Sequence, residues 1–95
     1  MEIEFSGAVF EWRGPSPFHF VAVPEEESAV LESVSSLVTY GWGMIPVEVE
    51  IGSTRWTTSL YRKDDCYVVP LKTVIRRAES IEIGDVVTLH VGVAL

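Results

Sequence analysis

The chain has ninety-five residues, and 47% of them are hydrophobic, including three Trp, three Tyr and four Phe. That length suits one domain, and that composition excludes an unfolded chain, which would lack aromatic and β-branched side chains. Fourteen acidic against seven basic residues leave a formal charge of −7. An excess of this sign repels phosphate backbones and anionic lipid surfaces at long range, so neither nucleic acid nor a membrane is expected as a partner.

Cys66 is the only cysteine, which excludes an intramolecular disulfide scaffold. The opening Met1-Glu2-Ile3-Glu4-Phe5 carries neither the basic nor the apolar region of a signal peptide. No apolar run approaches the roughly 18–20 residues that cross a bilayer. The expected location is the cytoplasm.

Taken in chain order, Ile3 to Arg13 reads as a long strand, with Ile3, Phe5, Gly7 and Val9 on one face and Ala8, Phe10 and Trp12 on the other. The apolar face changes near Gly7, which predicts a bulge or bend. Gly14-Pro15-Ser16-Pro17 is a turn. Phe18 to Val23 follows as a strand with so few polar residues that burial on both faces is expected.

Pro24-Glu25-Glu26-Glu27 opens a helix, since proline fits the first turn and carboxylates complement the positive end of the helix dipole. Val30, Leu31, Val34, Leu37 and Val38 then recur at helical spacing as an apolar stripe. Gly41-Trp42-Gly43 ends it. Val47, Val49 and Ile51 alternate with Glu48 and Glu50 in a half-buried strand, Gly52-Ser53 makes a tight hairpin turn, and Arg55 to Tyr61 returns. Cys66 to Val69 is a short strand stopped by Pro70. A second helix is predicted over about residues 71–79, with Leu71, Val74, Ile75 and Ala78 inward. After the Gly84-Asp85 turn, Val87, Leu89, Val91 and Val93 face the core of a last strand.

About six strands and two short helices (near residues 25–38 and 71–79) would leave costly edges in an open sheet. The expected fold is therefore mostly β: a single domain over residues 1–95, built as a small closed or nearly closed β-barrel with the helices covering it.

A set of landmarks in order along the chain carries a family resemblance. They are Trp12 before Gly14, Pro15 and Pro17; Phe18-His19-Phe20-Val21 and Pro24; Gly41-Trp42-Gly43 with Pro46-Val47; Gly52 with Trp56-Thr57-Thr58-Ser59-Leu60; and Tyr67, Pro70-Leu71-Lys72, Arg76-Arg77-Ala78 and Gly84-Asp85. In these the chain resembles a family of small bacterial and archaeal β-barrel proteins catalogued as domain of unknown function 1905. The resemblance implies a barrel, sometimes joined in longer chains to a YdeI/OmpD-associated domain, and implies no activity. The chain departs in having Phe18 where members often carry Trp, and a charged loop before Tyr67. The segment Arg76-Arg77-Ala78, Ile81 and Gly84-Asp85-Val86 is also similar to the helix–turn–strand of AbrB-type DNA-binding domains, departing at Lys72 and Glu79. That likeness is one of barrel construction.

Lys72 and Arg76, four apart, share one flank of the second helix and suggest an anion clamp near its N-terminus. The plainer account is a solvated face with Arg76 paired to Glu79. Ser59 and Thr57 offer hydroxyls on a neighbouring strand. Ser59 lacks the Gly-x-Ser-x-Gly elbow of a nucleophile. His19, Trp56 and Tyr67 complete the candidate ligand-binding set of Lys72, Arg76, Ser59, His19, Trp56 and Tyr67. Two distant histidines, one cysteine and Asp64-Asp65 match no metal-ligand spacing, so no metal, cofactor or catalytic residue is assigned. The leading expectation is a module binding a small anionic or polar molecule. A structural or protein-interaction module comes second and an enzyme using Lys72 or His19 third.

Overall fold

Period-two alternation dominates the chain, and in the computed structural model it yields six strands and two helices. In order these are β1 (Glu2–Trp12), β2 (Phe18–Ala22), α1 (Glu25–Val38), β3 (Ile45–Ile51), β4 (Thr54–Lys63), β5 (Cys66–Leu71), α2 (Thr73–Ala78) and β6 (Val86–Val93). The structure describes residues 1–12, 18–38, 43–63 and 65–94, with the Val38 side chain left aside. The expected 14–17 turn and the Gly41-Trp42 helix end lie outside the described residues.

The strands close into an antiparallel barrel in the order β1-β2-β5-β4-β3-β6. Inward positions are apolar all round: Phe5 and Val9 from β1, Val21 from β2, Val69 from β5, Leu60 from β4, Val49 from β3 and Leu89 from β6 are all buried. Residue 1 meets the end of β6, because the Met1 amine donates to the Val93 carbonyl at 2.8 Å and Val93 N–H donates to the Met1 carbonyl at 2.7 Å.

The expected bend at Gly7 coincides with a change of partner. Residues 2–8 of β1 pair with β6, whereas Val9 to Trp12 pair with β2. A Cβ at Gly7 would stand 2.9 Å from Val21 Cγ1 and 3.2 Å from the Ala22 carbonyl, so the close approach of β2 to β1 needs a residue without a side chain. Val9 is further tied by its N–H to the Asp85 carbonyl and by its carbonyl to Gly84 N–H, each at 2.8 Å. The Gly84-Asp85 turn thus extends the ladder along β1.

Two sequence expectations move. Pro70 does not stop β5 but sits inside it, opposite Phe20. The β4–β5 ladder ends at Val68, so at Pro70 the β4 side of the strand is an edge with no ladder hydrogen bond to lose. Leu71 accordingly belongs to β5, and α2 spans only Thr73–Ala78, with Ile75 its buried residue and Val74 66% exposed. A helix of under two turns has room to bury one side chain, not a stripe.

In α1 the buried side chains are Ser28 and Leu31, with Val34 half-buried, while Val30 is exposed and Leu37 is 78% exposed. The helix is therefore turned toward its Ser28 side relative to the expected stripe. The cause is local. Ser28 Oγ donates to the Val23 carbonyl at 3.1 Å and accepts Tyr67 N–H at 3.2 Å, which seats the first turn against the ends of β2 and β5. Arg62 on β4 adds a 3.0 Å ion pair to Glu32 of the same helix, and that carboxylate, with the Tyr67 hydroxyl after it, raises the Arg62 pKa.

Candidate functional site

Alternation divides the outside of the barrel into two unlike walls. Along β1, β6, β3 and β4 most outward residues are polar, and several are paired across strands. Ser6 and Thr88 hydroxyls lie 2.8 Å apart, His90 Nδ1 is 3.3 Å from Glu4, and Arg55 bridges Glu50 at 3.1 Å and Glu48 at 3.6 Å. The Arg55 pKa is raised, first by its hydrogen bond to Glu50. These are the cross-strand pairs that decorate a solvated sheet face.

At one side of this wall lies an open depression of about 630 Å³, lined by Pro46, Glu48, Thr57, Ser59, Tyr61 and Lys72 among others. Lys72 reaches it from the residue before α2, where its backbone is extended, and its side chain makes no cap to the helix. The structure thus brings Lys72 and Ser59 of the expected set to one concavity. Glu48 on the same lining opposes an anion there.

Arg76 does not join them. Its Nη2 donates to Thr73 Oγ1 at 3.0 Å and its Nε to the Leu71 carbonyl at 3.4 Å, turning the guanidinium back on its own helix start. Glu79 is not its partner either. That carboxylate accepts from Thr54 Oγ1 at 2.5 Å and from Ser53 Oγ at 3.4 Å, clamping α2 to the β3–β4 hairpin, and a Cβ on Gly52 would fall on it.

His19, Trp56 and Tyr67 alternate to the inside of the barrel. His19 and Trp56 are half-buried, with His19 Nδ1 and Trp56 Nε1 lacking a hydrogen-bond partner. Tyr67 is buried, its ring beneath the Arg62 guanidinium at 5.7 Å. These three are lining of the core side of the wall, and Lys72 stands on the outer side.

The second wall, formed by β1 after its bend with β2, β5 and the end of β4, is aromatic. Phe20 is the centre, with the rings of Phe10, Trp12 and Phe18 at 6.0, 6.0 and 6.2 Å and Tyr61 edge-on at 6.5 Å. Tilted and edge-on geometries at these distances are the favoured ones for ring quadrupoles. Phe20 is only 5% exposed although it points away from the main core, so its neighbours cover it. Phe18 and Trp12 are themselves 58% and 46% exposed.

Lys63 Nζ lies 4.9 Å from the Trp12 ring centroid and 5.6 Å from that of Phe10, within cation–π range. β4 and β1 are separated by two strands on this side of the barrel, roughly 14 Å on a flat sheet at ordinary strand spacing. The long Lys63 side chain and the rings of Phe10 and Trp12 reach toward one another across the outer face of the intervening strands to make this contact.

Sequence reading missed this cluster because it assigned Phe10, Trp12 and Phe20 separately, to faces of single strands. The signals were present: the change of apolar face at Gly7, and a β2 with apolar residues on both sides. Among the described residues, no group of three or more His, Cys, Asp or Glu gathers as a metal site would, and no helix is long and apolar enough to cross a membrane.

No curated protein matches the chain. A family profile does match: the one described as Domain of unknown function (DUF1905) covers residues 5–91, from the first core phenylalanine of β1 to the penultimate inward valine of β6. The chain belongs to that family.

Proposed function

We propose that this protein is an interaction module whose working surface is the exposed aromatic wall. The observation that carries the reading is an exposed Trp12 and Phe18 grouped with Tyr61 around a buried Phe20. The exposed part of each ring adds nothing to the stability of the fold. Grouped, rimmed apolar exposure of this kind marks recognition surfaces. Aromatic rings supply contact area at little cost in side-chain entropy, which is why they concentrate in binding surfaces.

Panning a random peptide library against the native chain and against the double variant Trp12→Ser/Phe18→Ser tests the reading. Sequences should enrich on the native chain and fail to enrich on the variant, with thermal melts confirming that both are folded. Equal enrichment on both proteins, or none on either, would remove the wall as the working surface.

A second reading rests on the depression that Lys72 and Ser59 share with Thr57 and Tyr61. One ammonium and three hydroxyls on a concave surface suit a small polar molecule, and Glu48 on the rim favours a ligand carrying positive as well as negative charge. Lys72 and His19, the alternative proton-transfer groups of the enzyme expectation, lie on opposite sides of the barrel wall.

A further inference from the structure

We infer that α2 is a strap closed over a seam in the barrel wall, and that its release, without unfolding of the barrel, opens the end where His19 and Trp56 stand.

The seam comes from the backbone. β4 and β5 pair only from Tyr61↔Val68 to Lys63↔Cys66, although β4 starts at Thr54 and β5 runs on to Leu71. Continuing that register would set Ser59 opposite Pro70, which has no N–H to give. Each strand keeps its other neighbour beyond this point, β4 pairing with β3 as far as Thr54 and β5 with β2 as far as Leu71. The two therefore part with no ladder between them.

α2 crosses from one side of the seam to the other. It leaves β5 after Leu71 and Lys72, and at its far end the Glu79 carboxylate accepts from Thr54 Oγ1 and Ser53 Oγ on the β4 side. Ile81, just beyond, is anchored in the core, so the segment is fixed at both ends and spans the gap between. Its hold along the span is slight. Ile75 is the buried residue of the helix, and the backbone bonds close on the segment itself, Glu79 N–H to the Ile75 carbonyl at 3.1 Å and Ile81 N–H to the Arg76 carbonyl at 2.8 Å. Ser80, at φ 53°, sits in the left-handed region that is unfavourable for a residue with a Cβ, and release relieves it.

The groups at the seam also favour release. His19 stands opposite Leu71 on the β2–β5 ladder, and Trp56, two residues from Thr54 on β4, packs against the core. His19 Nδ1 and Trp56 Nε1 are buried, and among the described residues neither has a hydrogen-bond partner. Polar atoms buried in this way destabilise the closed form, and water reaching them through an opened seam removes that cost. A carboxylate clamp and a buried isoleucine thus oppose a strained serine and two orphaned nitrogens, the balance of a segment that opens locally.

Native-state hydrogen exchange on the isotope-labelled chain, with denaturant kept below the unfolding transition, tests this. Once intrinsic rates are divided out, the Glu79 and Ile81 amides and the Trp56 indole N–H should exchange together, about tenfold or more faster than the Leu89 and Val91 amides of the core. Their rates should also depend less on denaturant, because lifting the strap exposes little surface. Glu79→Ala should speed these three protons about tenfold, the size of one hydrogen bond to a charged group. Thr54→Val should speed them less, since Ser53 remains, and the two substitutions together no more than Glu79→Ala alone.

If the three protons share the rate and denaturant slope of Leu89 and Val91, the segment opens only with the whole barrel and there is no strap. An indole that does not follow the Glu79 and Ile81 amides through the variants would leave a fraying helix that gates nothing. Additive effects of the two substitutions, or none, would remove the clamp and the proposal with it.

Discussion

Ser28 does more for this fold than its type suggests. It is the buried polar residue of α1, giving a hydrogen bond to the Val23 carbonyl and taking one from Tyr67 N–H. Val23 N–H in turn donates to the Tyr67 carbonyl at 2.8 Å, so one hydroxyl joins the end of β2, the start of α1 and β5. Replacement by alanine leaves Tyr67 N–H buried without an acceptor, which costs about 1–3 kcal/mol. A denaturant or thermal melt of Ser28→Ala should show that loss, and Lys72→Met, at an exposed position with no cap to lose, should melt like the parent. A serine in a row of Glu and Ser carries no mark of burial in the sequence, because the partner that buries it lies 39 residues away. For the same reason Arg76 could not be read: the donor geometry that turns it to Thr73 and Leu71 depends on where the helix begins, two residues later than its periodicity implies.

Among the elements, the strands were more legible than the helices. Alternation of Val47, Val49 and Ile51 with Glu48 and Glu50 has one solution once a core exists, since a one-residue slip would bury the carboxylates. In α1 several rotations put some apolar residues inward, and the Ser28 hydrogen bonds select among them. Leu31 is fully buried and Leu37 is 78% exposed, although both belong to the stripe that periodicity suggests. Leu31→Ala should therefore destabilise by about 2–5 kcal/mol, and Leu37→Ala should stay within about 0.5 kcal/mol of the parent. The pair of melts reads the rotation of the helix directly. Equal losses would show that the stripe, not the serine, orients it. At α2, a short apolar pattern running on from Leu71 concealed where the strand ends and the helix starts.

For the whole molecule, closure was the inference that edge exposure alone could support, and the order β1-β2-β5-β4-β3-β6 supplies what sequence could not: which strands meet. The aromatic wall follows from that order, since Lys63 and Trp12 stand 51 positions apart in the chain and come together across β2 and β5. Closure also pairs residue 1 with residue 93 by two backbone-level hydrogen bonds. In the native state a peptide linker of a few residues, Leu95 included, would join residue 94 to residue 1, which lies beside Val93. In the unfolded chain the same linker would forbid every conformation in which the ends are apart. A head-to-tail cyclised form should consequently be more stable than the linear chain carrying the same linker, by up to about 4.7 kcal/mol, the loop-closure value for a ring of roughly 100 residues. At about 4–8 °C per kcal/mol for a domain of this size, calorimetry would resolve the rise easily. A ring with no ends would also offer exopeptidases no place to start, so the hydrogen bonds of Met1 and Val93 make this fold a natural template for a protein without termini.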